Sequence, residues 1–429
     1  MDIHTYPALA ETLYTTTLPS GLRVMVLPRK GFTKKLAYLV TDFGSIHTSF
    51  TLDGKTHTVP AGIAHFLEHK LFDMPDGRDI SEEFASLGAI VNAFTSYDMT
   101  AYYFSCTEGF EDCLELLMEL VFTPYFTEES VAKELGIIDP EIGMNLDTPD
   151  SVVFDRLMES LFQNHPIRVP ILGTKESIRE ITPQMLHTIH RAFYAPGNMW
   201  LCVTGDVDPE AVAAQADAFL GAEYKTPGKK LPFLPEPEVR LQELVRQSME
   251  VAMPNFSMGI KFPFPGTGEA GVRQEMAAEI AAEALFGESS ELYLKLYDSG
   301  LIDSSFGGGF ETIDGCAMLL CSGDSDNPTA VRDAVLQQAR KLAREGIPED
   351  YFRRLLRSAM GRRIRGLDSF DSTVFRLCAY AMTDFAYLEF PEIFRSLNRQ
   401  DLQPIFTRAS CPESCAISII DPISKEDFS

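Results

Sequence analysis

Ala61-Gly62-Ile63-Ala64-His65-Phe66-Leu67-Glu68-His69-Lys70-Leu71-Phe72 is an apolar, helix-compatible run that encloses the pattern H-x-x-E-H. On a helix, His65 and His69 stand one turn apart and project from one face, with Glu68 close beside it. Two neutral imidazoles so placed form half of a tetrahedral zinc site. A neighbouring carboxylate is positioned to take a proton from a water held there. The alternative is a core helix with two partly exposed histidines and an ordinary solvated Glu68. Histidine is scarce in this chain, with 8 in 429 residues, and two of the eight fall in these five positions.

A zinc site with two histidines needs a further protein ligand and one position left for water. The segment Phe126-Thr127-Glu128-Glu129-Ser130 opens like a helix, with a threonine N-cap and acids in the first turn. It continues through Lys133-Glu134-Leu135-Gly136-Ile137-Ile138-Asp139-Pro140-Glu141-Ile142. Glu134 and Glu141 are two helical turns apart and face one side. Pro140 removes a helical hydrogen bond. It either kinks the helix so as to aim Glu141 or marks the start of a new helical segment there.

The chain reads as a duplication. Residues 223–238 are rich in proline and charge and read as an extended linker near the midpoint. Before it, Lys35 to Gly44 is strand-like, as is Met253 to Phe264 after it. The helical stretch Gly62 to Phe72 corresponds to Met276 to Phe286, Leu87 to Cys106 to Ile302 to Cys321, and Asp150 to Phe162 to Ser369 to Met382. Strand-like runs, Met199 to Gly205 and Ser414 to Asp421, close the two halves. Strands mix with long amphipathic helices and also run consecutively, which defines an α+β class. Opposite His65, Glu68 and His69 the second half carries Glu279, Ala282 and Glu283. The expected organisation is a zinc-bearing first domain over 1–222, a linker over 223–238, and a degenerate second copy over 239–429 that walls a shared chamber.

Taken together, H-x-x-E-H and the distal glutamates resemble the inverted-zincin peptidase family of pitrilysin, insulin-degrading enzyme and mitochondrial processing peptidase. Asn92-Ala93-Phe94-Thr95-Ser96-Tyr97 followed by Thr100 to Phe104 resembles that family's edge strand beside the zinc. Tyr194-Ala195-Pro196-Gly197-Asn198-Met199 with Gly205-Asp206 resembles the segment closing its first domain. His165-Pro166, Gly173-Thr174 and Ser177-Ile178 resemble the small two-domain bacterial branch. The resemblance implies two homologous α/β-roll domains forming half of a clamshell chamber. It also implies a zinc endopeptidase acting on short or unfolded peptides, leader or processing peptides among them. Carried onto this chain, His65, His69 and Glu141 are the metal ligands, Glu134 supports the site, and Glu68 is the general base. Asn92 and Ala93 lie where a substrate adds as a strand. Single-chain members also carry an Arg and a Tyr, seven apart, in the second half. The matching stretch here, Leu296-Tyr297-Asp298-Ser299-Gly300-Leu301-Ile302-Asp303-Ser304, has no such pair. A dimer follows as the expectation, with a related subunit supplying the Arg and Tyr or with a second copy of this chain. The competing class is a non-catalytic or weakly active metal-binding peptide chamber, or a structural subunit of a processing complex.

Composition bounds the partners. There are 62 acidic against 37 basic residues, a formal net charge of −25, which disfavours nucleic acid and anionic membrane. The N-terminus lacks a signal-peptide pattern, and no apolar run is long enough to span a bilayer. The eight cysteines form no C-x-x-C pair and suit a reducing, cytoplasmic setting. Leu114 to Val121 reads as a core stripe. Gly307 to Gly309 reads as a turn, not a phosphate loop. The Arg353, Arg354, Arg357, Arg362, Arg363 and Arg365 cluster reads as a solvated or interdomain face, and His187 and His190 as surface histidines.

Overall fold

The fold, seen in a computed structural model that describes residues 1–423, rests on two mixed sheets. The first contains β1 Asp2–Tyr6, β2 Glu11–Thr17, β3 Arg23–Pro28, β4 Lys35–Thr41, β5 Ile90–Thr95, β6 Thr100–Cys106 and β7 Met199–Gly205. Their order is β1-β2-β3-β7-β4-β6-β5. The second contains β8 Leu244–Met249, β9 Asn255–Phe262, β10 Gly307–Ile313, β11 Cys316–Asp324 and β12 Cys415–Pro422, in the order β8-β12-β9-β11-β10. The five strands β3-β7-β4-β6-β5 and the five strands β8-β12-β9-β11-β10 have the same sequence of pairings. The first pair of each series is parallel and the other three are antiparallel. The duplication read from the sequence is therefore present in topology.

Burial explains the strand sequences. Central β4 is a continuous apolar run because both its faces are covered, and Leu36, Ala37 and Leu39 are inaccessible to solvent. Outermost β5 is only half-buried. The covering helices relevant here are α1 Ile63–Lys70, α2 Glu128–Leu146, α3 Pro149–Leu161, α4 Gly268–Phe286, α5 Glu349–Gly366 and α6 Phe370–Met382. Helix α1 packs against β5 and β6, and α4 packs against β10.

The compact units cross the linear division at 223–238. One consists of Met1–Ile142, Pro170–Pro232 and Ile364–Glu389, and the other of Gly143–Val169, Phe233–Arg363 and the chain from Phe390 onward. Helix α3, from the first half of the sequence, packs on β9 and β12. Its repeat partner α6, from the second half, packs on β4 and β7. Each half of the chain thus lends one helix to the other half's sheet.

The segment 223–238 is a pinned strap. Gly228 N–H donates to Ala192 O at 2.7 Å, Lys229–Lys230 pairs with the strand Ser49–Leu52, and Lys230 Nζ meets Asp42 Oδ1 at 2.5 Å. In the other unit, the Glu236 carboxylate accepts the backbone N–H groups of Gln163, Asn164 and His165 and pairs with Lys261 Nζ at 2.8 Å.

Three further expectations change. His190 is not a surface histidine: its Nε2 donates to Val121 O at 2.8 Å and its ring stacks on Tyr194, with centroids 5.1 Å apart. His187 is exposed. Arg363 is buried and ion-paired, so the arginine cluster is not wholly a solvated face. Gly307 to Gly309 form the start of β10 itself. The core stripe over 114–121 is as expected, with Leu114, Leu117, Met118, Leu120 and Val121 buried.

Candidate metal centre

Helix α1 begins at Gly62, whose φ of 87° and whose proximity to Leu172 O (2.4 Å from an added Cβ) admit only glycine. From that start, Ile63, Ala64, Phe66 and Leu67 are buried in the core and His65, Glu68 and His69 fall on the remaining side. Helix α2 opens with a reciprocal cap, in which Ser130 N–H donates to Thr127 Oγ1 and Thr127 N–H donates to Ser130 Oγ, each at 3.1 Å. It runs unbroken through Pro140. The residue whose carbonyl forgoes its bond there is Gly136. Glu141 therefore continues the helix and does not start a new one.

The two helices bring the expected residues together. His65 Nε2 lies 3.6 Å from Glu141 Oε1, and His69 Nε2 lies 3.8 Å from Glu141 Oε2. The candidate donor atoms of His65, His69 and Glu141 lie within 4.8 Å of one another. Tetrahedral zinc with ligands at about 2.0–2.1 Å needs donor separations of roughly 3.3 Å, so a small contraction suffices. The donor set of two imidazoles and a carboxylate matches the nitrogen and oxygen preferences of zinc.

Surrounding groups set the state of these ligands. Glu134 is buried, and its Oε1 meets His69 Nδ1 at 3.0 Å. That contact places the proton on Nδ1 and leaves Nε2 as the lone-pair donor turned toward Glu141. It also raises the pKa of metal-free His69, with burial opposing. Burial, reinforced by the charge of His69, pushes His65 down to about 4, so it is neutral at pH 7 and able to ligate. Burial raises the Glu68 carboxyl, against a hydrogen bond from Thr95. Asn92 and Ala93 lie on outermost β5, where Asn92 Oδ1 accepts the Ala93 N–H at 2.8 Å.

Two contacts went unassigned in the sequence. Thr95 Oγ1 donates to Glu68 Oε2 at 2.5 Å. Lys70, with no solvent exposure, pairs with Asp73, donates to Ser130 O at 3.3 Å and lies 3.9 Å from Glu134 Oε2. The available signals were the alternation along β5, which puts Ala93 and Thr95 on one face, and a lysine inside an otherwise apolar helix.

The repeat-related place in the other unit is occupied differently. At the positions that the sequence repeat sets opposite His65 and His69, helix α4 carries Glu279 and Glu283, and α5 supplies the cations. Arg363 pairs with Glu279 at 2.8 Å and Glu275 at 3.5 Å, and Arg362 with Glu283 at 3.0 Å. Among the described residues, only His65, His69 and Glu141 form a cluster able to hold a metal ion.

Fold and site together define a duplicated α+β protein that carries, among the described residues, a three-ligand geometry able to hold a metal ion on an inverted H-x-x-E-H helix. Sequence comparison gives the family. The model for Insulinase (peptidase family M16) matches residues 54–175, and that for the peptidase M16 inactive domain matches residues 180–358. "Uncharacterized zinc protease YmfH" of Bacillus subtilis (strain 168) is 35% identical across 98% of this chain and 99% of its own length. The crystal structure of an M16-like peptidase from Alicyclobacillus acidocaldarius is 30% identical with a TM-score of 0.91, over 96% of this chain and 99% of that one. A Helicobacter pylori protease, 20% identical with a TM-score of 0.82 over 96% and 99% of the two chains, shares the fold. The chain belongs to the M16 peptidase family.

Proposed function

We propose that this chain is a zinc-dependent endopeptidase that hydrolyses short or unfolded peptides, leader or processing peptides among them. The observation that carries the reading is the convergence of His65, His69 and Glu141, with Glu68 adjacent on the same helix. The zinc-protease names of relatives support the choice of metal.

His65 and His69 would hold zinc through Nε2 and Glu141 through a carboxylate oxygen, with Glu134 orienting His69. Bound zinc supplies Lewis acidity that polarises the scissile carbonyl and acidifies water. The Glu68 carboxylate takes the proton of the attacking water and passes it to the leaving amine nitrogen. Its burial, which raises its basicity, suits both transfers. The peptide adds along outermost β5 beside Asn92 and Ala93, through main-chain hydrogen bonds that tolerate many sequences.

The missing Arg/Tyr pair bears on the oxyanion. Tyr297 is exposed near the end of the helix Glu291–Asp298, and Asp303 accepts the N–H of Ser305. A related subunit, or a second copy of this chain, therefore completes the site. The same replacement favours the second reading, a metal-binding peptide chamber with weak or no turnover. A cytoplasmic location accords with the absence of any disulfide among the eight cysteines. No helix among the described residues is long and apolar enough to cross a membrane.

The test is hydrolysis of fluorogenic peptides with parallel metal analysis, for wild type and Glu68→Gln, with and without a related M16 subunit. Turnover that requires both zinc and Glu68 is expected, and stimulation by the added subunit supports the shared site. Zinc binding without turnover in any combination selects the binding chamber.

A further inference from the structure

We infer that Thr95 is the positioning residue of the general base, fixing the Glu68 carboxylate in the rotation that serves catalysis. The inference rests on the peptidase reading and extends it to a residue outside the motif. The terminal torsion of a glutamate is broad, so burial alone does not determine where its two oxygens point. Here one oxygen is committed. Thr95 Oγ1 donates to Glu68 Oε2 at 2.5 Å, a short hydrogen bond. Oε1 is left to face the water. Thr95 keeps its own proton throughout, while Glu68 accepts the water's proton and returns it to the leaving nitrogen.

Thr95 is itself held firmly. It is the last residue of β5, next to the turn Ser96–Met99. Ser96 N–H donates to Met99 O at 2.8 Å, and Ser96 Oγ accepts the N–H of Met99 at 3.2 Å. Ser45 N–H and Ile46 N–H donate to the Ser96 and Tyr97 carbonyls at 3.1 and 3.0 Å. This close seating needs glycine at position 44, where a Cβ would lie 2.5 Å from Tyr97 O. Asn92 and Ala93 sit on the same strand three and two residues away. The element proposed to receive the peptide backbone is thus the element that orients the base, and one rigid strand keeps the scissile bond and the proton acceptor in register.

The experiment compares wild type, Thr95→Val and Thr95→Ser, each zinc-loaded. It measures kcat and KM on a fluorogenic peptide, zinc stoichiometry, and the Glu68 conformation in crystal structures. Valine keeps the β-branched shape and removes only the donor, so the strand is retained. The expected result is a kcat for Thr95→Val lower by roughly 10- to 100-fold, a share of the 10²–10⁴ that a positioned acid–base group contributes. KM and zinc content stay at wild-type values, the Glu68 carboxylate turns from its wild-type orientation, and serine restores most of the rate. A Thr95→Val enzyme with wild-type kcat, or one in which Glu68 does not move, overturns the inference. So does a loss carried by KM or zinc content, or one that serine fails to rescue. Absence of Glu68-dependent turnover in wild type, both alone and with the related M16 subunit, overturns the peptidase reading instead, and the crystal structure still reports separately whether Thr95 sets the carboxylate.

Discussion

Glu134 holds the imidazole of His69 through a 3.0 Å contact between Oε1 and Nδ1, while His69 Nε2 faces Glu141. The carboxylate thereby determines which nitrogen of His69 has a lone pair for metal. Glu134→Gln should fold normally but bind zinc about 10- to 100-fold more weakly, as for other outer partners of metal ligands. Competition with a chromophoric chelator measures this, and wild-type affinity in the variant would remove Glu134 from the metal site.

Zinc should also stabilise the fold, because the three ligands converge only in the native state. At free zinc about 100-fold above Kd, the gain is about 2.7 kcal/mol. Thermal unfolding with and without chelator reads the effect. His65→Ala should erase the zinc-dependent shift while keeping a cooperative transition.

Lys70 is wholly buried against Asp73, Ser130 O and Glu134. Replacement by methionine leaves a carbonyl and two carboxylates without their cation. Loss of about 3 kcal/mol is expected, at the lower end for breaking a buried pair because Asp73 is partly solvated. Urea unfolding provides the value, and a change below about 0.5 kcal/mol, the range of ordinary surface substitutions, would contradict it.

His190 gives a pH dependence with a definite sign. Burial pushes its folded pKa from 6.5 to about 4. The unfolded chain therefore binds the extra proton first, so the contribution is intact above about pH 6.5 and is lost as pH falls toward 4. The difference in stability between wild type and His190→Gln, both in chelator, should shrink across that window. A difference independent of pH would mean the imidazole is not neutral in the fold.

In the other unit, Arg363 lies between Glu275 and Glu279. Arg363→Met should destabilise by about 3 kcal/mol, since carboxylates lose a buried partner. Adding Glu279→Gln should recover part of the loss. Zinc content should stay at the wild-type level, because the metal ligands lie elsewhere. Simple additivity in the double mutant would show that the two side chains are not coupled.

What was legible in the sequence is what local periodicity encodes. His65, Glu68 and His69 share a helix face by spacing alone, as do Glu134 and Glu141, and the repeat followed from matching strand and helix runs. What escaped depends on neighbours far along the chain. His190 looks like a surface residue until the Val121 carbonyl is beside it. Arg363 looks solvated until α4 supplies its glutamates. Thr95 stood inside a quoted stretch, but a hydroxyl gives no sign of its acceptor 27 positions away. The linker was readable as extended chain, and its anchoring through Gly228, Lys230 and Glu236 was not.

The exchange of α3 and α6 has a consequence for biosynthesis. As the chain leaves the ribosome, the sheet beneath helix α1 emerges complete, yet the helix that covers β4 and β7 comes from residues 370–382. The nascent first half must wait with part of its apolar sheet uncovered until nearly the whole polypeptide has been made. A truncation at the proline-rich strap would accordingly yield an aggregation-prone fragment, and a protein cut there after folding should hold together without its peptide bond.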